Sequence, residues 1–445
     1  MTLSVRPEKL ARFLDLARLR EVEATDLGEF TSEPFFHLLH QGRTVGLIPM
    51  EFLHEGDPEM RIAAEWKDPP PAPFPSSPLP SSEEGNALAR AFLARDNLRS
   101  AEELHRTYDH EVKGLTVVKP WIGAYRDVPA DAAVLLIAHD GGHVGYALGE
   151  AVFPSYSDQD AHAMTQAGVD LAVRRVVAAG ARIDRIALLD NYCWPDPLEG
   201  PKNPDARHKA AQLVRASRGL SEMCRAYGTP LISGKDSMKN DAVVGGKRIS
   251  IPPTLLASAI AIVADVRRAV TLEASGPGQV LYMVGETGDE LGCSEYAALR
   301  GASGGQVPRC RPAAFHERYR KVSQAIEGGL VTAAHAPGRG GLLPSLFFLA
   351  RAAGLGLDVD LSLAPTSGTL GWEALLFGES AGRLLLAVKP EHAADFTRRL
   401  AGEPVRRLGT YDGSGRLRIS LGGHPVVDES VADLARAWKR EGGRA

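Results

Sequence analysis

A chain of 445 residues, 44% apolar and 24% charged, can bury a large core, and at this length it divides into two or three domains. Its formal charge of −4, spread without long like-charge blocks, excludes the basic stripe of a protein that tracks nucleic-acid phosphates. The opening Met1-Thr2-Leu3-Ser4-Val5-Arg6-Pro7 has no apolar core like a secretory signal, and the longest apolar run, Leu255 to Val263, cannot span a bilayer, so the cytoplasm is the expected compartment.

In chain order, residues from about Leu10 to Leu53 hold only short apolar stretches such as Leu47-Ile48-Pro49, too little to enclose a core. From Asp68 to Ser82 proline is too dense for a helix or a paired strand, which predicts an extended, semi-rigid linker and a boundary near residue 75. Ala87 to Val112 carries apolar positions at helical spacing, with one interruption near Asp96-Asn97. Between Ala132 and Val266 strand-like runs (Ala133 to Ala138, Ile186 to Leu189, Ala257 to Val263) alternate with helical stretches, among them Asp205 to Tyr227 with Leu213, Leu220, Met223, Cys224 and Tyr227 on one face. A second such unit starts at Val280-Leu281-Tyr282-Met283-Val284 and runs to about Leu421, with a helix predicted over Ala313 to Glu327 and a strand over Arg383 to Val388. Cys193, Cys224, Cys293 and Cys310 stand far apart, the pattern of reduced thiols and not of a disulfide framework or zinc site.

Six segments in register give a resemblance: Tyr108-Asp109-His110-Glu111-Val112, Leu189 to Trp194 (Leu-Asp-Asn-Tyr-Cys-Trp), Gly228 to Met238 with Ser233-Gly234-Lys235-Asp236-Ser237 at its heart, Pro252 to Leu256, Leu291 to Tyr296, and Leu376 to Arg383. In order and wording they resemble the phosphoribosylformylglycinamidine synthase (formylglycinamide ribonucleotide amidotransferase) family of purine biosynthesis, within the AIR synthase-related superfamily. The resemblance implies an α/β (α+β) fold with an AIR synthase-like N-terminal domain at 129–268 and a C-terminal α/β domain at 269–430. Residues 1–67 would be the end of a preceding first-half C-terminal domain, 68–82 a linker, 83–128 a helical connector and 431–445 a tail. The chain would thus open mid-domain. The part of the family that carries the catalytic histidines, most substrate contacts and the main magnesium carboxylates has no counterpart in it, so no catalytic residue is assigned.

The turn predicted at Ser233 to Ser237 follows an apolar strand and would present backbone N–H groups, a cation and a hydroxyl to phosphate. By resemblance Asp190 hydrogen-bonds the nucleotide, Gly234 lines the ATP site and Ser237 holds the substrate's phosphate. The plain alternatives are a tight turn for Gly234 and a helix cap for Ser237. Lys235 stands where small members have a magnesium-holding asparagine. An ammonium cannot ligate a cation, so charge pairing with phosphate is its expected role, and the large single-chain members share this Lys-Asp-Ser wording.

Asp140 lies where large members place a magnesium-holding aspartate for a second, non-reacting nucleotide, and it reads equally as a solvated loop residue or a leftover ligand. The glutamate and asparagine of that site are here Leu171 and Arg175, and its His-Asp-x-Ser-Asp-Gly-Gly loop is here His335-Ala336-Pro337-Gly338-Arg339-Gly340-Gly341. The expectation is a dismantled metal site in which Arg175 and Arg339 either pair with Asp140 or Glu295 or simply reach solvent.

The resemblance implies an ATP-dependent ligase, with ATP and Mg2+ as cofactors, the metal held mainly by a first-half partner chain. A glutaminase subunit would supply ammonia, and formylglycinamide ribonucleotide would be the substrate. The rivals are a non-catalytic scaffold subunit of the same complex, or another enzyme of the superfamily; against the latter, His139-Asp140-Gly141-Gly142-His143 lacks the lysine and threonine of an Asp-Gly-x-Gly-Thr-Lys loop.

Overall fold

The structure, a computed structural model, describes residues 1–70, 72–107 and 110–440. Tyr108 and Asp109 of the first family-like segment lie outside the described residues. The chain divides between Arg61 and Ile62 into two compact units.

The first unit contains helix α1 (Pro7–Leu19), strands β1 (Phe35–His40) and β2 (Arg43–Pro49), and helix α2 (Met50–Glu55). Proline opens α1, where its missing N–H costs nothing, and Glu8 and Arg18 complement the helix dipole at its two ends. Gln41 and Gly42 both take positive φ (51° and 75°), the two-residue turn that matches strand twist and closes β1 on β2 as an antiparallel hairpin. No residue of this unit is fully buried, as its sparse apolar runs predict.

The second unit begins with an irregular segment that includes the prolines. It is extended as predicted, yet it is laid along its own unit: Gly305 donates to the Ala72 carbonyl (2.8 Å), Trp372 Nε1 to the Ser77 carbonyl (3.0 Å), and Phe74 packs near Tyr296. The division between units therefore falls earlier than the boundary expected near residue 75. Ser81 ends the segment as the N-cap of α3 (Ser82–Leu93), in a reciprocal capping box with Glu84. After the predicted interruption follows α4 (Glu102–Arg106).

The first α/β domain holds β3 (Thr116–Val118), β4 (Trp121–Ile122), β5 (Val128–Pro129), β6 (Ala133–Leu136), β7 (Gly145–Val152), α5 (Ala161–Ala178), β8 (Ile186–Cys193), α6 (Ala206–Tyr227), β9 (Leu231–Ser237), β10 (Asp241–Val244), β11 (Lys247–Ser250) and β12 (Thr254–Val263). Six strands form one sheet in the order β3-β6-β7-β12-β8-β9, antiparallel except for β8 and β9, which α6 connects in parallel. On β12, Leu255, Ala257, Ala259, Ala261 and Val263 are buried beneath α5, while the alternate Leu256, Ser258, Ile260 and Ile262 face an uncovered side of the sheet. Leu148 and Leu189 share that open side.

The second α/β domain holds β13 (Val280–Val284), α7 (Glu295–Arg300), α8 (Pro312–Glu327), β14 (Ala333–His335), α9 (Leu342–Ala353), β15 (Gly356–Asp360), α10 (Trp372–Phe377), β16 (Leu384–Val388), α11 (Ala393–Arg399), β17 (Val405–Asp412), β18 (Arg416–Leu421), β19 (His424–Ser430) and α12 (Val431–Lys439). Its seven-stranded sheet runs β14-β16-β13-β17-β15-β18-β19. Every residue of β13 and β16 is buried, which is why both read as unbroken apolar runs. The fold is α/β (α+β), and none of the described helices is long and apolar enough to cross a membrane.

Candidate functional site

Residues Ser233 to Ser237 are not a turn. They are the exposed outer strand β9, paired in parallel with β8 so that Asp190 lies opposite Gly234, Asn191 opposite Lys235, and Cys193 opposite Ser237. An apolar start (Leu231-Ile232) with no helix signal before the next turn lets the chain stay extended, so Ser237 ends a strand and caps no helix. The glycine is needed for another reason than a tight turn: a Cβ on Gly234 would sit 2.7 Å from Asp190 Oδ1. Burial, with the charge of Asp236 adding to it, raises the Asp190 carboxyl above its ordinary value.

The strand alternation sorts the four predicted residues. Asp190 pairs with Ala257, a buried residue on the helix side of the sheet, and its charge reaches the Tyr192 phenol and the Cys224 thiol on that side, both already raised by burial. Lys235 and Ser237 stand opposite Asn191 and Cys193, at positions that alternate to the open side, where Lys235 Nζ donates to Ser237 Oγ at 3.0 Å. One strand pair thus presents a carboxylate at a glycine gap on one side and an ammonium–hydroxyl pair on the other.

Two features beside the pair escape sequence reasoning. A groove of about 770 Å³ runs between α6 and β9, lined among others by Tyr192, Ser217, Ser221, Cys224, Arg225 and Leu231. Ser217, Ser221 and Arg225 lie one and two turns apart on α6, a spacing that reads as a solvated face until the neighbouring strand is placed. The second is Asn240. Its side-chain amide donates to the Ser237 carbonyl (2.7 Å) and the Trp194 carbonyl (3.4 Å), while the Trp194 N–H also donates to the Ser237 carbonyl (2.8 Å). The β10–β11 hairpin that follows is tied down by Arg248, which bridges Asp241 (3.0 Å) and Asp196 (3.4 Å). Against the cost of burial, hydrogen bonds from Arg248, Ser250 and the Asp196 N–H hold the Asp241 carboxyl at about 2.

The candidate second site is filled by protein. Leu171 is buried against Gly338, where a Cβ would come within 2.7 Å of Leu171 Cδ2. Arg175 donates to the Glu150 carbonyl, and Arg339 donates to the Val152 carbonyl (2.8 Å) and lies 3.6 Å from Glu295. Both carbonyls belong to the end of β7 that extends beyond its pairing with β6, so the two guanidinium groups satisfy strand-edge acceptors. Burial, with repulsion from Arg174 and Arg339, lowers the Arg175 pKa. Glu295 is further held by Arg95 (3.0 Å) and Asn97 (2.7 Å). Of the two partners expected for the arginines, Glu295 is used; Asp140 instead lies exposed and accepts from the Gly142 N–H (2.9 Å). His335, the retained histidine of the loop, bonds to Asp131 (3.0 Å). Among the described residues no three His, Cys, Asp or Glu side chains gather where a metal ion could sit, so magnesium does not fit this chain's own donors.

The segment Leu376 to Arg383 is a packing motif. Buried Glu379 accepts from the N–H groups of Glu295 (3.0 Å) and Gly340 (2.8 Å) and from the Tyr156 hydroxyl, and buried Arg383 donates to the carbonyls of Ser380 and Gly378. The four cysteines are unpaired, and burial pushes the Cys293 thiol up to about 11.

Residues 129–263 match the N-terminal domain of AIR synthase related proteins and residues 276–422 match the C-terminal domain. Among curated relatives, phosphoribosylformylglycinamidine synthase subunit PurL of Alkaliphilus metalliredigens is 30% identical over 423 residues, covering 93% of this chain and 53% of the relative. The PurL subunit of Ignicoccus hospitalis is 33% identical over 444 residues (98% and 57%). The chain spans about half the length of the curated relatives it matches. Among solved structures, Thermotoga maritima PurL complexed with FGAR superposes with a TM-score of 0.58 at 19% identity, covering 71% of this chain and 49% of that one. The same protein complexed with ATP gives 0.55 at 19% (78% and 51%). At these identities the structures support the fold alone, and it is the two domains in order, with PurL subunits matching along nearly the whole sequence, that place this chain in the AIR synthase related family as a homologue of phosphoribosylformylglycinamidine synthase subunit PurL.

Proposed function

We propose that this chain works as the second-half component of a phosphoribosylformylglycinamidine synthase, together with a partner carrying the first half and a glutaminase that supplies ammonia. In that reaction ATP phosphorylates the formamide oxygen of formylglycinamide ribonucleotide, ammonia adds at the same carbon, and phosphate leaves, giving the amidine, ADP and phosphate. Catalysis of this kind rests on positioning and on charge placed against phosphoryl oxygens. The observation that carries the reading is the exposed β8–β9 pair, with Asp190 and Gly234 on one side and Lys235 and Ser237 on the other, at the rim of a sheet whose second side is uncovered.

Asp190 and Gly234 bind the nucleotide, the glycine leaving room for the carboxylate. Lys235 neutralises phosphate charge, and Ser237 donates to the substrate's phosphate. The uncovered apolar side, with Leu148, Leu189 and Ile262, suits packing against another N-terminal domain, the arrangement that brings a partner's groups to the same rim. Magnesium and the groups that act on the reacting amide belong to the partner.

The test is reconstitution with a first-half chain, ATP, magnesium and ammonia. Amidine formation that falls at least tenfold on Asp190→Ala supports the reading. Full activity of Asp190→Ala would favour a scaffold that contacts no ligand.

A further inference from the structure

The first unit repeats the end of the second α/β domain boundary for boundary. Strand β1 (Phe35–His40) corresponds to β18 (Arg416–Leu421), β2 (Arg43–Pro49) to β19 (His424–Ser430), and α2 begins at Met50 as α12 begins at Val431. Both hairpins turn through two residues of positive φ, Gln41-Gly42 (51° and 75°) and Gly422-Gly423 (60° and 84°). Both carry the same irregularity at the same place: Leu38 pairs with Gly46 and Leu39 with Thr44, as Ile419 pairs with Val427 and Ser420 with Pro425. A shared bulge in a shared register is a specific structural signature, because one slipped residue would turn every side chain to the other face.

The two copies differ in what covers them. In the second, β18 adds in parallel to β15, with Leu417 opposite Leu357 and Ile419 opposite Val359, and α12 packs on α3 and α9. Leu417, Ile419, Val426 and Leu434 are at most 2% exposed there. Their counterparts Phe36, Leu38, Val45 and Leu53 are 44–66% exposed, and among the described residues the outer edge of β1 has no partner strand. The chain itself therefore shows what this surface accepts: the parallel edge strand and helices of an AIR synthase-type C-terminal sheet.

We propose that Met1–Arg61 is the closing module of a second AIR synthase-type C-terminal domain and docks on that domain's sheet, carried by a separate polypeptide, with β1 adding in parallel to its edge strand. The inference rests on the partnership proposed above and specifies its contact: main-chain pairing supplies affinity, and the pockets for Phe36 and Leu38 supply register. Position 39 is free to be polar, since its counterpart Ser420 is.

The test mixes the full chain with a polypeptide whose last domain is an AIR synthase-type C-terminal domain ending after the strand equivalent to β17, which leaves the edge equivalent to β15 open. A one-to-one complex is expected, with amide exchange over Phe36 to Leu39 slowed about tenfold or more. Leu38→Asp weakens it by about 100-fold, while Leu39→Ser stays within about threefold. Should Leu38→Asp also unfold the hairpin, seen as fast exchange in β2, Leu38→Ala replaces it with an expected loss of about tenfold. Absence of a complex, a complex with unchanged exchange in β1, or equal losses for Leu38→Asp and Leu39→Ser each overturn the docking. Amidine formation by a complex in which β1 stays unprotected overturns it too, while leaving the proposed function standing.

Discussion

Asp190 and Gly234 face each other across β8 and β9 so closely that any side chain on Gly234 would occupy the space of the Asp190 carboxylate. Gly234→Ala must push that carboxylate aside or open the outer strand. Because β9 is exposed and has room to move, the stability cost falls at the low end of overpacking, about 1 kcal/mol. The Michaelis constant for ATP should rise more than turnover falls. Combining Gly234→Ala with Asp190→Ala should recover the lost melting temperature without recovering ATP affinity; additive melting losses would mean that the two residues do not compete for space.

Two carboxyls predict opposite pH behaviour. Asp190 is raised in the fold, so its ionisation opposes folding: that penalty is absent below its unfolded pKa and present once the pH passes its folded value. Asp190→Asn should therefore match or exceed wild-type stability at pH 7. Asp241 is held at about 2 against an ordinary value of 3.8, so it contributes stability above about pH 4 that is lost as the pH falls toward 2. Asp241→Asn should cost roughly 1–2 kcal/mol at pH 7 after allowance for solvent screening at the hairpin, with the difference from wild type closing between pH 4 and pH 2. Urea titrations at several pH values check both slopes, and a constant Asp241→Asn difference across that range would dismiss the ion-pair account.

Arg175 and Arg339 occupy the region of the second nucleotide site and spend their donors on the β7 edge. No tightly held adenine nucleotide should copurify, and chromatography of the denatured protein that finds it in stoichiometric amount would refute this. Arg339→Ala leaves the Val152 carbonyl without its donor and removes one cation from buried Glu295, a loss of about 1–3 kcal/mol in chemical denaturation. Arg339→Lys should restore little, because one ammonium cannot reach both the carbonyl and the carboxylate as a planar fork does.

Much of this was legible in the sequence, and the reasons are local. Elements with strong periodicity or unbroken apolar runs, such as α6, α8, β13 and β16, fall where the residue pattern puts them. The region Ser233 to Ser237 was misread as a turn because glycine, serine and aspartate have turn preferences that pairing with β8 overrides. Gly234 was singled out correctly, but its physical reason, a carboxylate across the strand pair, depends on register and is invisible in one strand alone. Asn240 and the groove by α6 depend on contacts between separate segments. The repeat of the β18–β19 hairpin in β1–β2 is hidden because the two share turn geometry and register while differing in nearly every residue.

The last prediction concerns Lys235 and Ser237, joined at 3.0 Å on the open side of β9. In the reconstituted enzyme, Ser237→Ala should mainly raise the Michaelis constant for the ribonucleotide. A phosphate remote from the reacting amide contributes largely uniform binding, and one hydrogen bond to a charged group contributes roughly 1.5–3 kcal/mol. Lys235→Ala should lower turnover as well, since charge on the transferring phosphoryl group grows toward the transition state and an ammonium placed against it acts there most strongly. Asn240→Ala should behave as a weaker Ser237→Ala, because it frees the Ser237 carbonyl without removing the hydroxyl. Combined with Ser237→Ala it should add little, since the residue it positions has already lost its function. Steady-state kinetics with varied ribonucleotide and saturating ATP separate these cases. Wild-type parameters for both Lys235→Ala and Ser237→Ala would mean that this edge meets no ligand and that the scaffold reading holds.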